Sequence, residues 1–422
     1  MSAIHALSSG SVPAGVAVIR LSGDTAFAIA QTLLGGRALP PPRTAMLRSI
    51  FAANSAQLID RALILCFPAP HSFTGEDVVE IHCHGSPAVV AAVLQALSEL
   101  GARAAEAGEF TRRAFLNGRL DLTEAEALGD LIAAETELQH RMALANDRGR
   151  LRNRAEHWRQ RIIALLAELE ANLDFSDEGD VADRAAAAMD AGLSDLAQEL
   201  QQALTGSHIA ERIRHGLTIA IIGPPNVGKS SLLNALARRD VAIVTPHAGT
   251  TRDVIEVHLD LGGRAALLLD TAGLRETDDP IEAEGIARAR QRAAAADYRL
   301  DLGSNGNVVN KIDESGAQPG QRDGRFYISA RTGAGLAELE AHLIEWAREV
   351  IPATEIPLVA NERQRQMLAD ALQSLQEARA QSDAVLMAES LRLAVRAFDR
   401  LTGRVDPEEV LDHIFSRFCI GK

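Results

Sequence analysis

"LTIAIIGPPNVGKSSLLNALAR", residues 217–238, decides how the rest of the chain is read. Its opening is an unbroken apolar run of strand length, and the stretch from Ser230 onward has the amphipathic period of a helix. Between them, Gly223, Gly228, Lys229 and Ser230 have the spacing G-x-x-x-x-G-K-S. A strand feeding such a loop and then a helix is a phosphate-binding P-loop. The glycines let backbone N–H groups approach phosphates. Lys229 brings a point charge to the β- and γ-phosphates, and Ser230 a hydroxyl for Mg²⁺. The helix adds its positive N-terminal end. Asn226, Val227 and Ser231 complete the candidate cradle.

Three more elements follow in order. Asp270 ends the apolar strand of "RAALLLDTAG", where a carboxylate can hold Mg²⁺ through water, and Gly273 can donate a backbone N–H to a γ-phosphate. "NKID" supplies Asn310, Lys311 and Asp313, the last a carboxylate able to accept from guanine N1–H and its 2-amino group. "SAR", Ser329, Ala330 and Arg331, reads as the last base-side turn. The order specifies a guanine nucleotide, GTP or GDP. Thr250 and Thr251 in "HAGTTRD" suit a first switch, with Thr251 the better second Mg²⁺ hydroxyl. The candidate contacts there run through Thr245, Pro246, His247, Ala248 and Gly249. In the second switch they include Thr271 and Ala272. Leu274 follows Gly273 where small GTPases carry a glutamine that orients water. Leucine can do no such thing, so water and charge must be handled otherwise.

Around this site the chain divides by composition. Residues 1–117 alternate short β-branched runs with Gly and Pro turns and read as an α+β domain. Residues 118–212 take the helix period, and Thr123 with Glu126 has the spacing of a capping box. Residues 213–349 form the α/β nucleotide domain. Helical character returns over 350–422, where Asp406 and Pro407 fit a helix start. The expected fold is multidomain α/β: an N-terminal α+β domain, an all-α helical domain, and a Ras-like P-loop domain inserted into the latter. Only a few residues separate "RAAAADYRLDL" from "NVVNKID", too few for a right-handed crossover between parallel strands. A strand tail and a helix are therefore expected to be absent here, through disorder or deletion, and a physical gap in the trace between about 298 and 309 would be the sign of it.

The chain has 422 residues, 47% hydrophobic and 24% charged, with a formal net charge of −14. Such a balance argues against retention on nucleic acid by the overall field. Locally, residues 140–161 hold seven arginines and two acids, read either as a solvated helix face or as an RNA or partner contact. Cys66, Cys83 and Cys419 are too dispersed for a disulfide framework and suit a reducing cytoplasm. No apolar run approaches the ~20 residues of a membrane span, and the N-terminus lacks the pattern of a secretory signal.

"GTTRD", "DTAGLRE", the terminal "FCIGK", "FTGEDVVEIHCHG" and "GEFTRRAFLNGRLDLTEAEA" together resemble the MnmE (TrmE) family of tRNA-modifying GTPases. The resemblance covers nearly the whole chain. It implies a potassium ion where other GTPases use an arginine finger, held by Asn226 and by oxygens of Thr245, His247 and Thr250. A cation bridging phosphate oxygens offsets transition-state charge, an effect worth roughly 10³–10⁵ in rate. It implies that Glu282 positions the water, although the residues alone do not rank it above Glu276. Arg252 and Arg275 belong to the switches, and G domains pair on GTP binding, within a homodimer.

The resemblance further implies a tetrahydrofolate derivative (5-formyl or 5,10-methylene) in the N-terminal domain, met by Arg20, Glu80, Arg119 and Lys422. It implies an FAD- and NADH-dependent partner of the MnmG (GidA) type, in a heterotetramer or larger complex. The joint product is a carboxymethylaminomethyl or aminomethyl group at C5 of the wobble uridine, position 34, of certain tRNAs. Here "ALSSGSVPAG" replaces the family's "ATPPG" entry, and Arg119 stands where many members have lysine. Cys419 is either a bystander or a participant in the modification. "HCH" at 82–84 cannot converge on a metal, because strand side chains alternate faces; it is a structural strand, or His84 borders the folate pocket. A GTP-switched ribosome or RNA assembly factor is the alternative, yet it has no use for the folate-like domain or CIGK.

Overall fold

The β-branched alternation of the first hundred residues becomes a six-stranded sheet. The computed structural model describes residues 2–53, 55–174, 179–239, 241–243, 256–270, 293–352, 356–405, 408–416, 418 and 421. The chain packs as two units, one of residues 1–129 with 399–422, the other of 130–398.

In the first unit the strands are β1 (Ile4–Leu7), β2 (Ala14–Ser22), β3 (Met46–Phe51), β4 (Leu58–Phe67), β5 (Val78–Gly85) and β6 (Arg103–Ala104), in the spatial order β3-β4-β5-β2-β1-β6. Period-two alternation sends Ile19, Leu21, Ile64, Val79 and Ile81 to one face. There they meet Leu33 of α1 (Ala26–Leu33) and Val93 and Leu97 of α2 (Pro87–Glu99). Burying each such side chain contributes about 1.5–3 kcal/mol. α2 starts where Ser86 accepts from the Val89 N–H at 3.2 Å and Pro87 needs no donor of its own. The opposite face keeps the intervening residues. Because β2 and β5 are antiparallel, Arg20 and Glu80 fall directly opposite each other.

α3 (Glu109–Leu116) leads into α4 (Leu122–Ala133), whose cap differs from the expected one. The helix begins at Leu122, so Asp121 rather than Thr123 is the capping residue. Asp121 Oδ1 accepts from the Glu124 N–H at 2.8 Å, and Glu124 Oε2 accepts from the Asp121 N–H at 2.9 Å. Thr123 spends its hydroxyl on Asp121, at 2.8 Å. Leu122 and Ala125 pack against Leu411, Ile414 and Phe415 of the C-terminal helix (Glu408–Phe415) and against Phe418. Asp406 and Pro407 lie outside the described residues.

The second unit carries α5 (Glu137–Asp147), α6 (Arg150–Asp174), α7 (Gly179–Thr205) and α8 (Ser207–His215) ahead of β7 (Leu217–Ile222) and α9 (Lys229–Leu236). With β8 (Glu256–Asp260), β9 (Ala265–Asp270) and β10 (Tyr298–Asp301), β7 makes a sheet of order β10-β7-β9-β8, parallel except for β8. Ile219, Ile221 and Leu268 meet Leu232, Leu233 and Leu236 in its core.

The expected gap before "NKID" is corrected. The trace is continuous: Leu302 N–H donates to Ile222 O at 2.9 Å, and the Asn307 amide accepts from Asp301 N–H at 2.8 Å and donates to Arg299 O at 2.9 Å. A connection this short cannot return the chain to the β7 sheet. The next strand, β11 (Val308–Val309), instead joins a separate sheet with β12 (Gly320–Arg322) and β13 (Arg325–Tyr327), order β11-β13-β12.

Candidate functional site

The P-loop has the geometry its spacing demands. Gly228 stands at φ +96° before α9, and a Cβ there would lie 2.3 Å from Asn310 Nδ2. Asn226 is also left-handed, at φ +65°, a conformation asparagine tolerates better than most residues, and its side chain is exposed. Lys229 is buried, donating to Gly223 O at 2.8 Å and Pro224 O at 2.9 Å. An ammonium has three donors, so one is left to turn toward an anion. Ser230 donates its hydroxyl to Asp270 Oδ2 at 2.6 Å, joining the start of α9 to the end of β9. That hydroxyl and carboxylate are hard oxygen donors of the kind Mg²⁺ takes.

On the base side, Asn310 ties two motifs together. Its amide donates to Val227 O at 3.1 Å and accepts from Ala330 N–H at 3.0 Å. Asp313 accepts from Ser329 Oγ at 2.6 Å and pairs with Arg331 at 3.0 Å. The Ser329 hydroxyl, aided by Arg331 and Lys311, holds the Asp313 carboxyl below the usual carboxylate range. Lys311 sits at φ +63°, a costly conformation for a long side chain. A cleft of about 430 Å³ opens between α9 and the 330–333 turn, lined by Ser231, Asn234, Arg238, Ala330, Arg331 and Thr332. Sequence motifs separated by nearly a hundred residues thus converge.

In the first unit, Arg20 donates to Glu80 Oε1 from Nη2 at 2.9 Å and from Nε at 3.2 Å. Its guanidinium lies 5.3 Å from the Phe73 ring centroid and 5.8 Å from that of Phe110, contacts of the cation–π kind. Motif reading missed both aromatics, although Phe73 stands in the quoted "FTGE" stretch. Arg119 lies against Gly75 of the same loop, where an added Cβ would be 3.2 Å from its Cγ. Arg20, Glu80 and Arg119 are therefore gathered around one loop, 73–75. His82 reaches Glu80 at 3.4 Å and His84 reaches Asp60 at 2.8 Å, while Cys83 points into the core. Burial pushes the Cys83 thiol up and the Cys66 thiol to about 11. Native protein at neutral pH should therefore leave both cysteines unlabelled by iodoacetamide, as read by peptide mass spectrometry. Labelling of either at the unfolded rate would refute this.

Gly421 docks on the loop that follows β1. Ser8 Oγ donates to Gly421 O at 2.9 Å, and a Cβ on Gly421 would lie 2.2 Å from Leu7 O. Thr245 through Arg252 in the first switch lie outside the described residues. So do Thr271, Ala272, Gly273, Arg275 and Glu282 in the second, and Cys419 and Lys422 at the terminus.

Lysine is rare in this chain. Of 43 Lys and Arg residues only Lys229, Lys311 and Lys422 are lysine, and they fall in the P-loop, "NKID" and "CIGK".

A family model described as "MnmE helical domain" matches residues 122–419, and one described as "GTP-binding protein TrmE N-terminus" matches 3–119. Among curated relatives, the tRNA modification GTPase MnmE of Azorhizobium caulinodans is 51% identical over 437 aligned positions, covering 99% of this chain and 98% of the relative. That of Rhodopseudomonas palustris is 48% identical with the same coverage, and that of Maricaulis maris 47% identical over 99% of both chains. The first alignment is longer than this 422-residue chain, so the relative carries positions that this chain lacks. A solved cytosolic domain of the T. maritima FeoB iron transporter is 19% identical, covers 44% of this chain and 98% of that one, and has a TM-score of 0.23.

Proposed function

The chain belongs to the MnmE (TrmE) family of tRNA modification GTPases, and from that membership we propose that it hydrolyses GTP to drive a modification at C5 of the wobble uridine of tRNA. The observation that carries the reading is the convergence of Lys229, Ser230 and Asp270 on one side of the P-loop with Asn310, Asp313 and Ser329 on the other. We read 213–349 as a G domain inserted between the helical segments 118–212 and 350–422.

Within that site each group has a task. Lys229 and the N–H groups opening α9 hold the β- and γ-phosphates. Ser230 and Asp270, with Thr251, are the groups that would hold Mg²⁺, which screens phosphate charge when bound. Asp313 accepts from the guanine edge. Its pKa is lowered, so it stays ionised at neutral pH and loses this capacity only as pH falls through that lowered value. Asn226, exposed at the loop's rim, would hold K⁺ with Thr245, His247 and Thr250. Glu282 takes the place of the missing glutamine in orienting water, with Arg252 and Arg275 ordering the switches.

At the N-terminal site, Arg20 and Arg119 suit the anionic tail of a tetrahydrofolate and Glu80 its amino-pyrimidine edge, and Lys422 and Cys419 belong to the same reading. Homodimerisation, an FAD-dependent partner of the MnmG type and a cytoplasmic setting complete the reading. No helix among the described residues is long and apolar enough to cross a membrane.

The test is GTP turnover in matched KCl and NaCl. Wild type should turn over several-fold faster in K⁺, and Asn226→Ala should abolish the difference. Equal wild-type rates in the two salts would remove the ion from the mechanism. Cells lacking the protein should lose C5-modified wobble uridines in mass spectra of digested tRNA.

A further inference from the structure

The arginines of residues 140–161 are not absorbed by either site. We propose that the exposed basic face at the α5–α6 junction binds the phosphate backbone of tRNA. Arg141, Arg148, Arg150 and Arg154 are all exposed; Arg148 and Arg150 flank Gly149, at φ +74°, and Arg154 shares the Arg150 side of α6 four residues on. The proposal rests on the reading that tRNA is the substrate.

Stability does not account for the placement. A helix N-terminus favours acidic residues, and arginine there opposes the macrodipole. The first turn of α6 nonetheless contains no acid and two arginines, Arg150 and Arg152. Nor do their ion pairs consume the charge of Arg154 and Arg161. Glu199 alone serves both Arg154, at 2.6 Å, and Arg161, at 2.5 Å, while also accepting from Trp158 Nε1 at 2.9 Å. One carboxylate shared by two guanidiniums leaves a net positive charge. Arg150 gives one nitrogen to the Ile356 carbonyl at 2.8 Å, a contact that neutralises nothing. Among the described residues, no carboxylate pairs with Arg141 or Arg148. In a chain of net charge −14, a concentrated positive face is what an RNA backbone selects. Guanidinium is the group best shaped for bidentate phosphate contacts. Such contacts carry affinity and register rather than sequence choice.

The test is fluorescence anisotropy of labelled total tRNA with the full-length protein over a KCl series. Arg141→Glu/Arg148→Glu should bind at least ~10-fold more weakly at about 0.1 M salt, with the slope of log K against log[salt] reduced by roughly two. Arg348→Glu/Arg392→Glu makes the same charge change on other exposed helices and should cost less than about two-fold. The K⁺-stimulated GTPase rate of both variants should match wild type, reporting intact folding. Equal binding by the first variant and wild type, equal losses in both variants, or no tRNA binding by wild type would each overturn the surface. Nucleoside profiles test the modification reading separately: normal C5-modified uridines with unchanged binding in the first variant would sink the surface alone.

Discussion

Gly228→Ala is expected to weaken guanine-nucleotide binding by roughly a hundred-fold, about 3 kcal/mol. Two costs combine. Gly228 holds φ +96°, where any Cβ is strained by about 1–3 kcal/mol. That Cβ would also sit 2.3 Å from Asn310 Nδ2, the atom that donates to Val227 O. Relief requires moving Asn310, which carries Ala330 with it, or moving the start of α9 and so displacing Lys229 and Ser230. Either shift misplaces donors that must meet phosphates within hydrogen-bond distance. Titration of a fluorescent GDP analogue gives the number. Gly10→Ala, with nothing within 4 Å of the new methyl group, is the neutral control. An unchanged dissociation constant for Gly228→Ala would mean that the loop does not cradle the nucleotide as described.

The second large effect lies in the first unit. Arg113, with only 4% of its side chain exposed, donates from Nη1 to Glu76 Oε2 at 3.0 Å and Oε1 at 3.2 Å, and from Nη2 to Glu109 Oε1 and Ser2 O, both at 3.0 Å. Ser22 adds a hydrogen bond to Glu76 at 2.8 Å. Removing one partner of a buried pair strands the other charge, so Arg113→Met, which takes the guanidinium from buried Glu76, should destabilise this unit by about 3–5 kcal/mol. Replacing both by apolar residues of similar volume, Glu76→Leu/Arg113→Met, should recover much of the loss, because no charge is then left unpaired. Hydrogen exchange of β2 and β5 amides reads the unit directly. A double variant as labile as Arg113→Met would show that packing, not stranded charge, sets the cost.

The same network predicts acid lability. Burial alone would raise the Glu109 pKa, but hydrogen bonds from Arg103, the Glu106 N–H and Arg113 outweigh it and hold the carboxyl below its usual range. A carboxylate depressed on folding contributes stability above its unfolded value. That contribution disappears as pH falls through the folded value, so exchange protection in this unit should decline below about pH 4.5.

Legibility in the sequence followed the range of the physics. The P-loop could be read because its strand, glycines, lysine and helix are adjacent in the chain. "NKID" and "SAR" could be read because each is a short segment with fixed chemistry. The α4 cap is ambiguous in the sequence because Thr123 and Asp121 carry equally good capping spacings. The choice between them depends on where the first helical turn packs, and Leu122 is buried against the C-terminal helix. The Phe73 and Phe110 rings around Arg20 had no local signature, since they come from a loop and a helix brought together by folding.

By itself, the sequence determined the nucleotide chemistry, the alternating sheet, the helical stretches and the family, since period, motif order and residue type are properties of neighbours along the chain. Only the tertiary structure decided that Asn310 locks Gly228 against Ala330, that Gly421 docks on Ser8, and that the short connection before "NKID" sends β11 into a second sheet. The reason is that those outcomes are set by close approach and hydrogen-bond satisfaction between distant segments. No local spacing encodes which carbonyl a side chain from eighty residues away will reach.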